Sequence, residues 1–258
     1  MLGGMEIQGL YRWFVSQGSL LADGLSHLFY PGQCMVCRES ICPEDDQLCL
    51  ACWQSLSKAV AGDYCRRCGR EVSAFGIVNG RCGFCQDKQF HYDGIVRAGV
   101  YESTLRSIIL AFKFSEKTEL RGRLAGMLKH AILSASFCDE IDMIAPVPLH
   151  WRRRLWRGFN QSCLLAKSLK FSDIPISTDL VRIRNTVQQW DLTAPQRRRN
   201  VKGAFAVRKG HLFDDKTILL IDDITTSSAT LNECAKTLKA AGAQKVYTAV
   251  VATAFHDE

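Results

Sequence analysis

Between Ile218 and Leu231 the chain reads ILLIDDITTSSATL: an apolar run, two adjacent carboxylates, then a run of small hydroxyl residues. Small hydroxyl side chains at the start of a helix place backbone N–H groups, side-chain donors and the positive end of the helix dipole around one point, which suits a phosphate. Thr225, Thr226, Ser227, Ser228, Ala229 and Thr230 are the candidates for that task. Asp222 and Asp223 cannot hold the same phosphate, but they can accept hydrogen bonds from sugar hydroxyls or assist Mg²⁺. A capped helix after a buried strand accounts for one or two such residues. It does not account for eight in sequence.

A second chemistry lies nearer the N-terminus. Eight of the twelve cysteines form four C-x-x-C pairs: Cys34/Cys37, Cys49/Cys52, Cys65/Cys68 and Cys82/Cys85. Two intervening residues let the chain turn so that both sulfurs face one tetrahedral Zn²⁺, and two such knuckles complete a Cys₄ site. A redox motif needs one pair, not four in series. The segment is poor in aliphatic residues, so bound metal would supply its folding energy. Two structural zinc sites are expected. Local closure costs less entropy, which favours sequential pairing (34/37/49/52 and 65/68/82/85) over an interleaved arrangement. Cys42 lies outside any pair, and Cys138, Cys163 and Cys234 read as small core residues.

The charge is uneven. Residues 151–202 carry twelve Lys and Arg against three acids, while the whole chain is +7. One basic segment of this kind points to phosphates on a nucleotide or a nucleic-acid backbone. Trp151, Trp156, Phe159 and Trp190 lie among its arginines. They are stacking surfaces on one reading and packing on the other, and packing is expected for at least two of them.

The elements that must position these groups follow from periodicity. Apolar residues are 47% and charged residues 23% of 258, an ordinary globular balance. No apolar run approaches the roughly 18 residues of a membrane span, and polar residues interrupt every run before Leu28, so a cytoplasmic chain is expected. Leu10, Phe14, Leu21, Leu25 and Leu28 suggest short amphipathic helices, read as packing on the zinc module or as a docking surface. From Tyr92 the pattern alternates. Strands are expected at 94–101, 141–147, 217–221 and 245–253, and helices at 102–114, 119–134, 157–169 and 230–241. Short apolar strands between helices imply a parallel sheet covered on both faces, with ligands at the carboxyl ends of the strands.

The acidic pair with its Thr-rich loop resembles the motif by which type I phosphoribosyltransferases bind 5-phosphoribosyl 1-pyrophosphate (PRPP). Ala145–Gln161, APVPLHWRRRLWRGFNQ, resembles the P-V-P-L-H and R-G-F-N-Q signature of the ComF family of competence-associated, phosphoribosyltransferase-like proteins. Phe112-Lys113-Phe114 looks like that family's F-K-Y, and Thr186–Phe205 like its T-x-x-Q to N-V-x-G-A-F segment. The family commonly begins with a double zinc ribbon. After the amphipathic helical segment at 1–30, the resemblance implies a double zinc ribbon at 31–90 and a type I phosphoribosyltransferase-like domain at 91–258.

Carried over by residue, Asp222 and Asp223 would hold the ribose hydroxyls and residues 225–230 the 5-phosphate. Pro146–His150 matches a pyrophosphate loop, with Arg152, Arg154 and Arg157 able to neutralise pyrophosphate or DNA phosphates. Lys113, Gln189, Arg197 and Asn200 would close over the site, and Arg157, Gly158, Phe159, Asn160 and Gln161 are signature positions. Ser228 departs from the glycine usual in this loop. The resemblance implies a part in natural transformation: handling incoming single-stranded DNA beside an uptake channel and a helicase. Two alternatives remain open, an active phosphoribosyltransferase using PRPP and Mg²⁺, and a PRPP sensor without turnover.

Overall fold

The computed structural model describes residues 32–41, 47–73, 75–114, 118–171, 173–187 and 192–255. The expected N-terminal helices, Cys42, Gln189 and Trp190 lie outside them. The chain divides into two compact units, residues 1–55 and 56–258. In the first, strands β1 (Gly32–Gln33) and β2 (Ser40–Ile41) pair antiparallel around Cys34 and Cys37, and helix α1 (Leu50–Val60) begins at the next knuckle.

The second unit opens with a ribbon whose hairpin is β3 (Ile77–Val78) and β4 (Arg81–Cys82). A sheet of four parallel strands follows, in the order β5 (Gly94–Val100), β10 (Lys245–Thr253), β9 (Thr217–Thr225), β6 (Met143–Pro146). The TILLI stretch of β9 is buried throughout, as a strand covered on both faces must be. Ile218 and Leu220 join Val246 and Val250 in a core with Leu231, Cys234, Ala235 and Leu238 of helix α7 (Ala229–Ala240). The remaining α-helices among the described residues are α2 (Ser103–Phe114), α3 (Thr118–Leu133), α4 (Trp151–Arg157), α5 (Gln161–Ser168) and α6 (Ala194–Val201). Helices α3 and α5 pack on the sheet, and α7 packs on it with α6 and the hairpin of β7 (Leu180–Arg182) and β8 (Phe205–Val207) alongside. Cys234 is a core residue as expected, whereas Cys138 and Cys163 are only partly buried.

Two expected boundaries change. Strand β9 runs on through Asp222 and Asp223 to Thr225, because Asp222, Ile224 and Thr225 still register with Val250, Ala252 and Thr253 of β10. The helix expected over 157–169 is broken: Gly158 takes φ +83°, a conformation β-carbons disfavour, and separates α4 from α5.

Strand β5 is an edge, and the ribbon covers it. Ile95 N donates to Arg66 O at 2.9 Å, and the Arg67 guanidinium donates to the carbonyls of Phe90, Tyr92 and Asp93. Buried Arg97 donates to Thr253 Oγ1 and faces Glu71 of the ribbon at 3.6 Å. Gly69 sits at φ +83°, and a β-carbon there would lie 3.0 Å from Thr253 Cγ2 and 3.3 Å from Ile95 Cδ1. An uncovered edge strand invites pairing with other chains. Here the knuckle closes it.

Candidate functional site

Asp222 Oδ1 accepts from Ser162 Oγ and from the Asp223 amide, each at 2.9 Å. Asp223 Oδ1 accepts from Ile224 N at 2.7 Å, and its Oδ2 lies 3.2 Å from Lys113 Nζ. Burial and the adjacent Asp223 charge push the Asp222 carboxyl up to about 7, against the opposing pull of Ser162, the Asp223 amide and Lys113. Asp222 is therefore poised between neutral and charged near physiological pH.

The signature residues around Gly158 hold this pair in place. Asn160 caps α5 by accepting from Ser162 N at 3.1 Å and donates to Val147 O at 3.0 Å, tying the helix to the end of β6. Gln161 is buried, accepts from Arg157 Nη1 and donates to Lys113 O, each at 3.4 Å. Phe159 packs against Phe112, with ring centroids 6.4 Å apart. The segment thus fixes both Ser162, which touches Asp222, and Lys113, which touches Asp223. Before it, His150 accepts from Arg152 N as the cap of α4, and burial, with Arg152, Arg182 and Arg153 near, lowers its pKa and keeps Nδ1 able to accept.

The arginines of this region divide. Arg153 donates to Thr186 O at 2.8 Å, and Arg182 donates to Thr186 Oγ1, so these two hold the segment before α6. Asn200 exchanges two hydrogen bonds with the Val187 backbone, which makes it an anchor in this structure. Arg152 and Arg154 are exposed on α4. Trp151 (58% exposed) and Trp156 (74%) stand beside them, while Phe159 packs and Trp190 lies outside the described residues.

Beyond β9 the hydroxyl loop is pinned by Ala254 N donating to Thr225 O at 2.8 Å. Ser228 is the N-cap of α7, buried, at φ +56° and ψ +8°. That is the left-handed region, where a β-carbon costs roughly 1 kcal/mol. The fully buried Tyr92 hydroxyl lies beside Ser228.

Thr226, Ser227, Ser228 and Ala229 line one side of a cleft of about 910 Å³. Arg197, Arg198, Arg199 and Lys202 line it from α6 and its end, and Lys236 from α7. The ribbon supplies Arg70, Phe84 and Lys88, and the chain after β10 supplies Phe255. Glu233 is the one acid in the lining among the described residues. Neither Asp222 nor Asp223 lines the cleft, nor does any residue of α4. The loop therefore meets two environments, a basic aromatic cleft and an acidic pair.

The cysteines group in sequence order. Cys34, Cys37, Cys49 and Cys52 form one cluster and Cys65, Cys68, Cys82 and Cys85 the other, each with its sulfurs within 4.8 Å of one another. The Sγ separations Cys37–Cys49, Cys65–Cys85, Cys68–Cys82 and Cys82–Cys85 are 3.6–3.7 Å. Sulfurs at about 2.3 Å from a tetrahedral Zn²⁺ stand about 3.7–3.8 Å apart, so the donor sets fit the metal.

Among the contributors not singled out in the sequence are Ser162, Tyr92, Arg70 and Phe84, with Lys88, Lys236 and Phe255 of the cleft. Ser162 directly follows the signature Gln161 and Phe84 sits inside a knuckle. Position beside a motif was the one signal available.

A double zinc ribbon domain model matches residues 25–87 and a phosphoribosyl transferase domain model residues 162–258. Competence protein F of Haemophilus influenzae is 32% identical over 225 residues, 84% of this chain and 95% of that protein. DNA utilization protein YhgH of Escherichia coli K12 is 31% identical, covering 85% of this chain and 96% of that protein. Competence protein ComFC of Bacillus subtilis is 26% identical, covering 75% and 78%.

Proposed function

The chain belongs to the ComF family, and from that premise we propose that it takes part in DNA uptake by handling incoming single-stranded DNA on the phosphate-binding face of its phosphoribosyltransferase fold. The observation that carries this reading is the cleft, where the Thr226–Ser228 loop opens between the Arg197–Arg199 triplet, Lys202 and the ribbon. A phosphodiester backbone suits such a surface because each neutralised phosphate releases counterions. Exposed Trp151 and Trp156 among the arginines of α4 give a longer strand a further contact. The two Cys₄ clusters hold structural Zn²⁺ and have no open coordination position. On this reading the strand is met in the cytoplasm, beside the uptake channel and a helicase.

Fluorescence anisotropy with a labelled single strand across a salt series tests this. Micromolar or tighter binding that weakens steeply with salt is expected. Absence of binding at low salt would remove the proposal.

The acidic pair favours a second reading in which the same loop takes PRPP. Asp222 and Asp223 would hold the ribose hydroxyls and Mg²⁺, and Lys113, now on Asp223, would be displaced toward the pyrophosphate. Arg152, Arg154 and Arg157 would face that pyrophosphate across the Pro146–His150 segment. Turnover and sensing share this geometry and differ in pyrophosphate release.

A further inference from the structure

We infer that the second zinc ribbon is a recognition wall of the cleft, with Phe84 stacking a nucleobase whose 5′-phosphate rests at Thr226–Ser228. This rests on the reading of the cleft as a phosphate site. It adds a ligand class, a 5′-phosphorylated nucleotide unit, and a residue that recognises its base.

Phe84 lies between the metal-ligating Cys82 and Cys85 of one knuckle. With a cysteine two residues before it and another directly after it, the ring cannot retreat into the ribbon. It remains 41% exposed, while Tyr92, on the chain leading into β5, is fully buried. The ribbon is itself fastened to the sheet through Arg66, Arg67 and Gly69. The wall is therefore rigid with respect to the loop it faces, and both belong to one compact unit.

The surroundings of the ring are those of a nucleotide platform. The Arg70 guanidinium lies 3.7 Å from the Phe84 centroid and 4.9 Å from that of Phe255, at the corner where the two rings meet. The two rings are 6.3 Å apart and inclined at 57°. Lys88 Nζ sits 3.2 Å from the Phe84 centroid. An ammonium on a flexible four-carbon stem is a replaceable cover. An incoming base takes its place over the ring, and the ammonium turns to the adjoining phosphate. Aromatic faces interleaved with cations are the sequence-tolerant way to hold single-stranded bases. Across the cleft, the Thr226–Ser228 loop and the α6 arginines supply the phosphate half of the same unit. A volume of about 910 Å³ is at the upper end of the ~300–1,000 Å³ found for ligand pockets, room for a nucleotide and part of its neighbour.

The test compares a 5′-phosphorylated dithymidylate, the length the cleft itself has room for, with an abasic phosphodeoxyribose dimer of equal charge, by anisotropy on the zinc-loaded full chain. The unaltered protein should prefer the base-bearing strand by about tenfold, within the worth of one stacked base. Phe84→Ala should abolish that preference, weakening the base-bearing strand about tenfold more than the abasic one. Phe84→Trp should restore it, and Phe84→Leu, which keeps apolar bulk without a π-face, should not. Zinc content and melting temperature establish that each variant is folded. Displacement of the strand by thymidine 5′-monophosphate identifies a free nucleotide as a ligand; retained preference without displacement identifies the strand. Equal binding of both strands by the unaltered protein, or a preference that survives Phe84→Ala in a folded variant, overturns the inference but not the DNA-binding proposal. Failure to bind either strand overturns both.

Discussion

At the scale of single residues, the acidic pair is held in a state that a ligand can change. Asp222 is half-buried, with its carboxyl raised to about 7 from the ordinary 3.8 by desolvation and the adjacent Asp223. The folded chain therefore keeps a proton that the unfolded chain has released between those two pKa values. The cost of Asp222 to stability is absent at acid pH, grows as pH rises through that window, and is complete above about 7. Asp222→Asn should raise the melting temperature by roughly 5 °C at about pH 8 and leave it unchanged near pH 4, at ~2–4 °C per kcal/mol for a domain of this size. The same variant should lose any thermal shift given by PRPP with Mg²⁺. Scanning calorimetry across pH reads both effects, and a pH-independent difference would show that Asp222 is not the titrating group. The carboxylates and the hydroxyl loop were legible in the sequence because they are contiguous. Ser228 in place of glycine was legible too, and its left-handed conformation is the physical content of that departure. Ser162 on Asp222 was not legible, since 60 residues separate them and strand register joins them.

At the scale of elements, the ribbon acts as the missing neighbour of β5. Its backbone accepts from Ile95, its Arg67 satisfies three carbonyls, and Gly69 lets the knuckle approach the sheet closely. Gly69→Ala meets both a positive φ and a contact at 3.0 Å, and should cost about 2 kcal/mol or more in urea unfolding. Chelation of zinc should destabilise residues 56–258 and not the ribbon alone, because edge coverage and metal site are one structure. Independent melting of sheet and ribbon, or a neutral Gly69→Ala, would refute that coupling. The strands at 94–100 and 245–253 were readable from apolar runs bounded by turns. The break at Gly158 was not, because α4 and α5 both carry helix-forming residues and the backbone of Gly158 with the extended Asn160 cap divides them. The roles of Asn160 and Gln161 likewise need the tertiary fold, since their partners are Val147 and Lys113.

At the scale of the whole molecule, sequence charge pointed to a phosphate partner, and the fold decides which cations share a surface. Of the basic segment, Arg153 and Arg182 are spent on structure, α4 presents Arg152 and Arg154, and α6 with Lys202 lines the cleft. Residues from the ribbon, β9 loop, α6 and the end of β10 meet there, which no local window of sequence can display. The measurement that tests the account most directly is the salt dependence of single-strand binding by the unaltered chain and by the double variant Arg198→Glu, Lys202→Glu. Each lost phosphate contact should reduce the log–log salt slope by about 0.7, together with a large loss of affinity at low salt. An unchanged slope and affinity in the folded double variant would place the strand elsewhere and contradict the account.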